Sequence, residues 1–143
     1  MKRTTLFATL LLLFFASCKD TDRNTTNEQP SSDIDAAREF IRAALDGDYN
    51  KAKTFVVNDS LNQQDIEASE RLYKERMSAE DKAKYRGASI HIHETRQIND
   101  SASIIYYSNT FRNQKDSLKV IKLDGKWLVD FKYIFKHKPD SLQ

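Results

Sequence analysis

Cysteine, histidine and long apolar runs are all scarce in this chain, and each scarcity removes a class of function. Cys18 is the one cysteine in 143 residues, so no intramolecular disulfide can form. A structural zinc site needs three or four ligands. With no cysteine beyond Cys18, the three histidines His91, His93 and His137 are too few and too scattered to build one, so we expect no metal and no other cofactor. The longest apolar stretch, Leu6 to Ala16, is eleven residues broken only by Thr9. A bilayer crossing takes about 20, which argues against a retained transmembrane helix. Positive charge is not in excess either. Without residues 1–17, which carry Lys2 and Arg3 and no acid, 23 basic residues become 21 against 21 acidic ones. The strong positive field that nucleic-acid binding relies on is missing, and no nucleic-acid partner is expected.

What is present at the start of the chain reads as an address. Lys2-Arg3, the apolar run and the small pair Ala16-Ser17 form a secretory signal over residues 1–17. Phe15-Ala16-Ser17-Cys18 resembles a bacterial lipobox, departing from it at Phe15, where Leu is commoner. The resemblance implies cleavage before Cys18 and acylation of that residue, palmitate included, which predicts a membrane-anchored lipoprotein. Several acyl chains exceed the two-signal requirement for stable anchoring. Lys19, rather than Asp, follows the cysteine, which points to the outer membrane. Lys19-Asp20-Thr21-Asp22 is similar to the surface-export signal of some lipoproteins, and equally fits a solvated tether, so the periplasmic face and the cell surface both stay open. Residues 18–32 hold no large apolar side chain and predict a disordered tether with a reach of about 20 Å.

The domain is expected over residues 33–143. Ser32 with Asp35 fits a capping box, and Ile34, Ala37, Phe40, Ile41, Ala44 and Leu45 recur at helical spacing. Gly47 stops that helix. Asp48 caps a second one that buries Tyr49, Ala52, Phe55 and Val56. Ile66, Leu72, Tyr73 and Met77 predict a third helix from about Gln63. Ser78 with Asp81 opens a fourth, running to Tyr85. Past Gly87 the apolar period drops to two. A turn at Asn99-Asp100 pairs Ile92 with Tyr107 and puts Ile105 on the same face. The Asp124-Gly125 turn, whose two residues tolerate positive φ, joins strands over Leu118–Phe135. It pairs Leu123 with Lys126, Val120 with Val129, Leu118 with Phe131 and, on the other face, Lys119 with Asp130. Trp127, Phe131, Tyr133 and Phe135 then form one aromatic row.

The fold class predicted is α+β, with N-terminal helices packed on the concave face of a curved antiparallel sheet of about four strands. The run Leu45-Asp46-Gly47-Asp48-Tyr49-Asn50-Lys51-Ala52, followed by Leu123-Asp124-Gly125-Lys126-Trp127-Leu128-Val129, resembles the nuclear-transport-factor-2-like superfamily over about residues 33–136. Within it, the likeness is to small bacterial lipoprotein domains of unknown function. That resemblance implies a conical pocket between helices and sheet, and some members with such a pocket are isomerases or dehydratases.

The chemistry offered to such a pocket is thin. Glu94, Asp116, Asp124 and Asp130 fall mainly in turns or on the outer face, so no catalytic residue is assigned. Tyr107, Trp127, Phe131 and Tyr133 are the candidate lining of an apolar ligand site, and they equally suit a plain core. His91 and His93 read as solvated residues on the polar face of a strand. The function expected is a non-catalytic envelope lipoprotein binding a partner protein or a small apolar ligand. A small-molecule enzyme acting in the cone is the alternative, and the oligomeric state is not legible.

Overall fold

Capping decides where the helices begin. In the computed structural model, which describes residues 29–136, the Ser32 Oγ accepts from the Asp35 N–H at 3.1 Å and opens α1, Asp33–Asp46. Asp33 and Asp35 lie in the first turn, where the helix dipole favours negative charge. Gly47 closes α1 in the left-handed region at φ 77°, its N–H turned back to the Ala43 and Ala44 carbonyls. No side chain could replace its hydrogen cheaply, because a Cβ there would sit 2.5 Å from Tyr73 Cζ. Asp48 accepts from the Lys51 N–H at 2.9 Å to cap α2, Tyr49–Thr54. Asp59 does the same for α3, Ser60–Arg76, through the Asn62 N–H, and Ser78 for α4, Ala79–Arg86, through the Asp81 N–H.

Two expectations about these helices need correction. The third begins three residues before Gln63, because Asp59 supplies a cap that apolar spacing does not reveal, and its Leu72 is exposed rather than buried. Phe55 and Val56 are buried but leave the second helix, which ends at Thr54. Residues 55–57 run parallel to the last strand, with Val129 N–H donating to the Phe55 carbonyl at 2.7 Å and Val57 N–H to the Val129 carbonyl at 3.0 Å. That strand's outer edge carries backbone groups that need partners, and two β-branched valines suit the extended geometry.

The sheet is antiparallel in the order β1 (Ile90–Asn99), β2 (Ala102–Asn109), β3 (Asp116–Leu123), β4 (Lys126–Asp130). The Asp124-Gly125 turn, with both residues at positive φ, aligns Leu123 with Lys126, Val120 with Val129 and Lys119 with Asp130, as expected. Ile92 meets Tyr107 as predicted, though the turn is at Asp100-Ser101. Register shifts between Ile92 and Glu94, and between Gln97 and Asn99, absorb the difference. The strand expected to run to Phe135 stops at Asp130, so Leu118 has no ladder partner in Phe131. Residues Lys132–Lys136 form α5 instead, and Tyr133 does not continue a strand row.

α1 lies across the inner face of the sheet, so the α+β arrangement of helices on a curved four-stranded sheet is as expected. Ala36, Ala37, Phe40, Ile41 and Leu45 meet Ile105, Leu118, Val120, Val129 and Phe131 in one core. Each large member contributes roughly 1.5–3 kcal/mol by leaving water. Arg42 ties the end of α4 to α1: its guanidinium donates to the Ala88 and Arg86 carbonyls at 2.8 and 2.9 Å and pairs with Asp46 at 2.9 Å.

A buried polar knot holds the other side. Asn62 is fully buried; its Oδ1 accepts from the Lys132 N–H at 2.8 Å, and its Nδ2 donates to Asp59 Oδ2 at 2.9 Å and Asp130 Oδ1 at 3.2 Å. Lys132 Nζ reaches Asp59 at 2.6 Å and Asp130 at 3.3 Å, and Lys119 reaches Asp130 at 3.7 Å. This knot fixes where β4 turns into α5. Cys18, the signal segment, the tether through residue 28 and His137 lie outside the described residues.

Candidate functional site

The inner face is not covered evenly. α1 seals it over Val120 and Val129, which are fully buried. Toward the end of α1 the helices stand away from the sheet and leave a cavity of about 770 Å³. Its apolar wall comes from Phe40, Ile41, Ala44 and Leu45 of α1, Ile66 of α3, and Phe131 and Ile134 at β4 and α5. The sheet side is Tyr107 and Asn109 at the end of β2 and Asp116 at the start of β3. Tyr49 and Tyr85 add two phenols from α2 and α4. Arg112, Gln114 and Lys115, exposed on the β2–β3 loop, form the rim.

Of the four aromatic candidates, the structure brings Tyr107 and Phe131 together in this cavity. Phe131 stacks on Phe40 with ring centroids 5.3 Å apart. Trp127 sits at the opposite end of the inner face, half-buried, with Lys122 Nζ 5.5 Å from its ring centroid and no share in the cavity wall. Tyr133 is half-buried on α5 and also outside the wall. The turn into α5 removes Tyr133 from the row that alternation assigned to it.

The expectation that the acidic residues of the sheet fall mainly in turns or on the outer face fails at Asp116. It pairs with Tyr107 across β2 and β3, which puts both side chains on the inner side, and both line the cavity. Asp116 Oδ1 accepts from the Ser117 N–H at 2.8 Å. Burial pushes the Tyr107 hydroxyl well above the usual phenol range, with Asp116 adding to the rise. Burial does the same to Tyr49 and Tyr85. All three phenols therefore stay protonated at neutral pH and can donate hydrogen bonds.

Asp130 faces outward as expected, yet it is buried in the Asn62 knot. His93 Nε2 lies 2.8 Å from Ser108 Oγ on the outer face, beside the exposed His91. Among the described residues no cluster of three or more His, Cys, Asp or Glu side chains could hold a metal, and no helix is long and apolar enough to cross a membrane.

The sequence reading missed most of the helix-borne wall. Tyr49, Tyr73 and Tyr85 were legible as a signal, since each puts a hydroxyl on the buried side of a helix. They form an aromatic chain, with centroids 5.6 Å apart from Tyr49 to Tyr73 and 6.3 Å from Tyr73 to Tyr85, which ends edge-on against Phe111 at 5.1 Å. The arrangement can hold a mostly apolar molecule and present hydroxyl donors and rim charges to its polar end. Comparison with family models, with curated proteins and with solved structures finds no match for this chain.

Proposed function

We propose that this protein is a cell-envelope lipoprotein, acylated at Cys18 and held on the outer membrane, whose domain binds a small apolar ligand in the cavity between helices and sheet. The cavity supports this reading over partner-protein binding. About 770 Å³ of concave space, with an aromatic and aliphatic wall on the helix side and polar groups on the sheet side and rim, has the size of a small-molecule site. The nuclear-transport-factor-2-like resemblance is part of the same proposal, since a helix-covered curved sheet with a pocket at one end is what it implies. Native mass spectrometry of the protein extracted from its own membranes should reveal a co-purifying small molecule that Phe131→Ala loses. A ligand-free wild type would refute the binding role. Cys18→Ala should abolish incorporation of labelled palmitate, and unchanged labelling would remove the anchor.

A second reading is favoured by one observation, the placement of Asp116 beside Tyr107 in the cavity wall. A carboxylate and a protonated phenol side by side can move a proton and stabilise a developing oxyanion, which is the chemistry of an isomerase or dehydratase. Incubating the co-purified molecule with wild type and with Asp116→Asn separates the two roles. Conversion by the wild type alone assigns catalysis; its persistence unchanged with both leaves binding.

A further inference from the structure

We infer that the ligand of this cavity is an apolar carboxylate, its acyl or aromatic body against Phe40, Ile66 and Phe131 and its single anionic head between Arg112 and Lys115. This rests on the ligand-binding reading above and specifies the ligand's chemistry. Among the described residues, neither the Arg112 guanidinium nor the Lys115 ammonium takes part in a hydrogen bond or an ion pair, although both residues belong to the cavity lining; only the Arg112 backbone N–H is engaged, donating to Asn109 Oδ1 at 3.0 Å. Other cations without an ion pair, such as Arg71, Arg76 and Lys126, are not part of the cavity lining, whereas these two are. The rim carries two cations against one carboxylate, Asp116, so its field favours one negative charge.

The phenols supply the second half of the argument. Tyr49 is only 7% exposed, and its hydroxyl, like those of Tyr85 and Tyr107, makes no hydrogen bond among the described residues. None of the three is a sealed, unsatisfied atom, so each hydroxyl opens onto solvent-accessible space. They remain donors at neutral pH because burial disfavours the phenolate. Neutral donors and two cations in one wall complement the oxygens of an anion, whereas a cationic head would meet one carboxylate, Asp116, against those two cations.

The test uses the full chain in phosphatidylcholine nanodiscs, titrated calorimetrically with 2-naphthylacetate and octanoate and with their neutral counterparts, 2-naphthaleneethanol and octanol. Each acid is expected to bind about tenfold or more tighter than its alcohol, in line with the strength of charge-assisted hydrogen bonds. The larger of the two preferences tells an aromatic from an acyl body. Arg112→Gln with Lys115→Gln, both on an exposed loop, should erase the preference while leaving alcohol affinity and thermal stability in place. Asp116→Asn should strengthen the acids. Acid and alcohol binding equally, or a preference that survives the double substitution, overturns the anionic head while the apolar site stands. No binding of any of the four compounds overturns the site itself.

Discussion

Replacing Asn62 with leucine, a side chain of similar size, tests whether the buried knot holds the fold. The substitution deletes one acceptor and two donors at a fully buried position. The Lys132 N–H is then left without its 2.8 Å partner. Leaving a buried donor unsatisfied costs about 1–3 kcal/mol. Asp130 keeps Lys119 and Lys132 as counter-charges, and Asp59 keeps Lys132 and the Asn62 backbone N–H, so the loss on that side is smaller. We expect Asn62→Leu to destabilise by about 2–3 kcal/mol, lowering Tm by roughly 10–15 °C for a domain of this size. Urea melts with an unchanged m-value measure this. Asn62→Asp keeps the acceptor but adds a third carboxylate beside Asp59 and Asp130, and should be worse than leucine at neutral pH while recovering part of its stability in acid. A loss below about 1 kcal/mol for the leucine variant, or an aspartate variant insensitive to pH, would refute the reasoning.

Gly47→Ala should cost about 2–4 kcal/mol, from positive φ and from the collision of the new Cβ with the Tyr73 ring. In a Tyr73→Ala background only the backbone part should remain, which a double-mutant cycle reads directly. Asp59 is pulled down to about 2, first by the Asn62 backbone N–H and then by Lys132. A depressed folded pKa stabilises above the unfolded value of about 3.9, and that stabilisation disappears as pH falls from there towards 2. Chemical denaturation between pH 5 and pH 2 should therefore show a decline that is shallower in Asp59→Asn; parallel profiles would contradict it.

How far the sequence could be read depended on whether a feature was local. Asp124-Gly125 specified its register because a two-residue turn leaves one way to align the strands. Asp100-Ser101 did not, because the two register shifts in β1 leave no mark in the pattern of residue types. Phe131, Tyr133 and Phe135 keep a strand's period of two, though apolar Ile134 breaks the alternation, and the turn into α5 is held by Asn62, bonded to Lys132 across 70 residues of chain. Asp116 was within reach. It stands two before Leu118 and so shares its face, but its neighbours Lys115 and Gln114 gave it the look of a loop residue. The cavity was not legible. A gap between helices and sheet is set by where α1 ends relative to β2, which no single stretch encodes.

The meeting of α1 with β4 bears on when the chain can fold. The first helix and the last strand face each other in one core, and the 55–57 segment and Asn62 both wait for residues near 130. An amino-terminal fragment has therefore no surface on which to bury Phe40, Ile41 or Leu45, and contacts this distant in sequence form slowly. A chain made from its amino end therefore stays unfolded until its final strand has been added, so the same topology that closes the core delays folding to the end of synthesis.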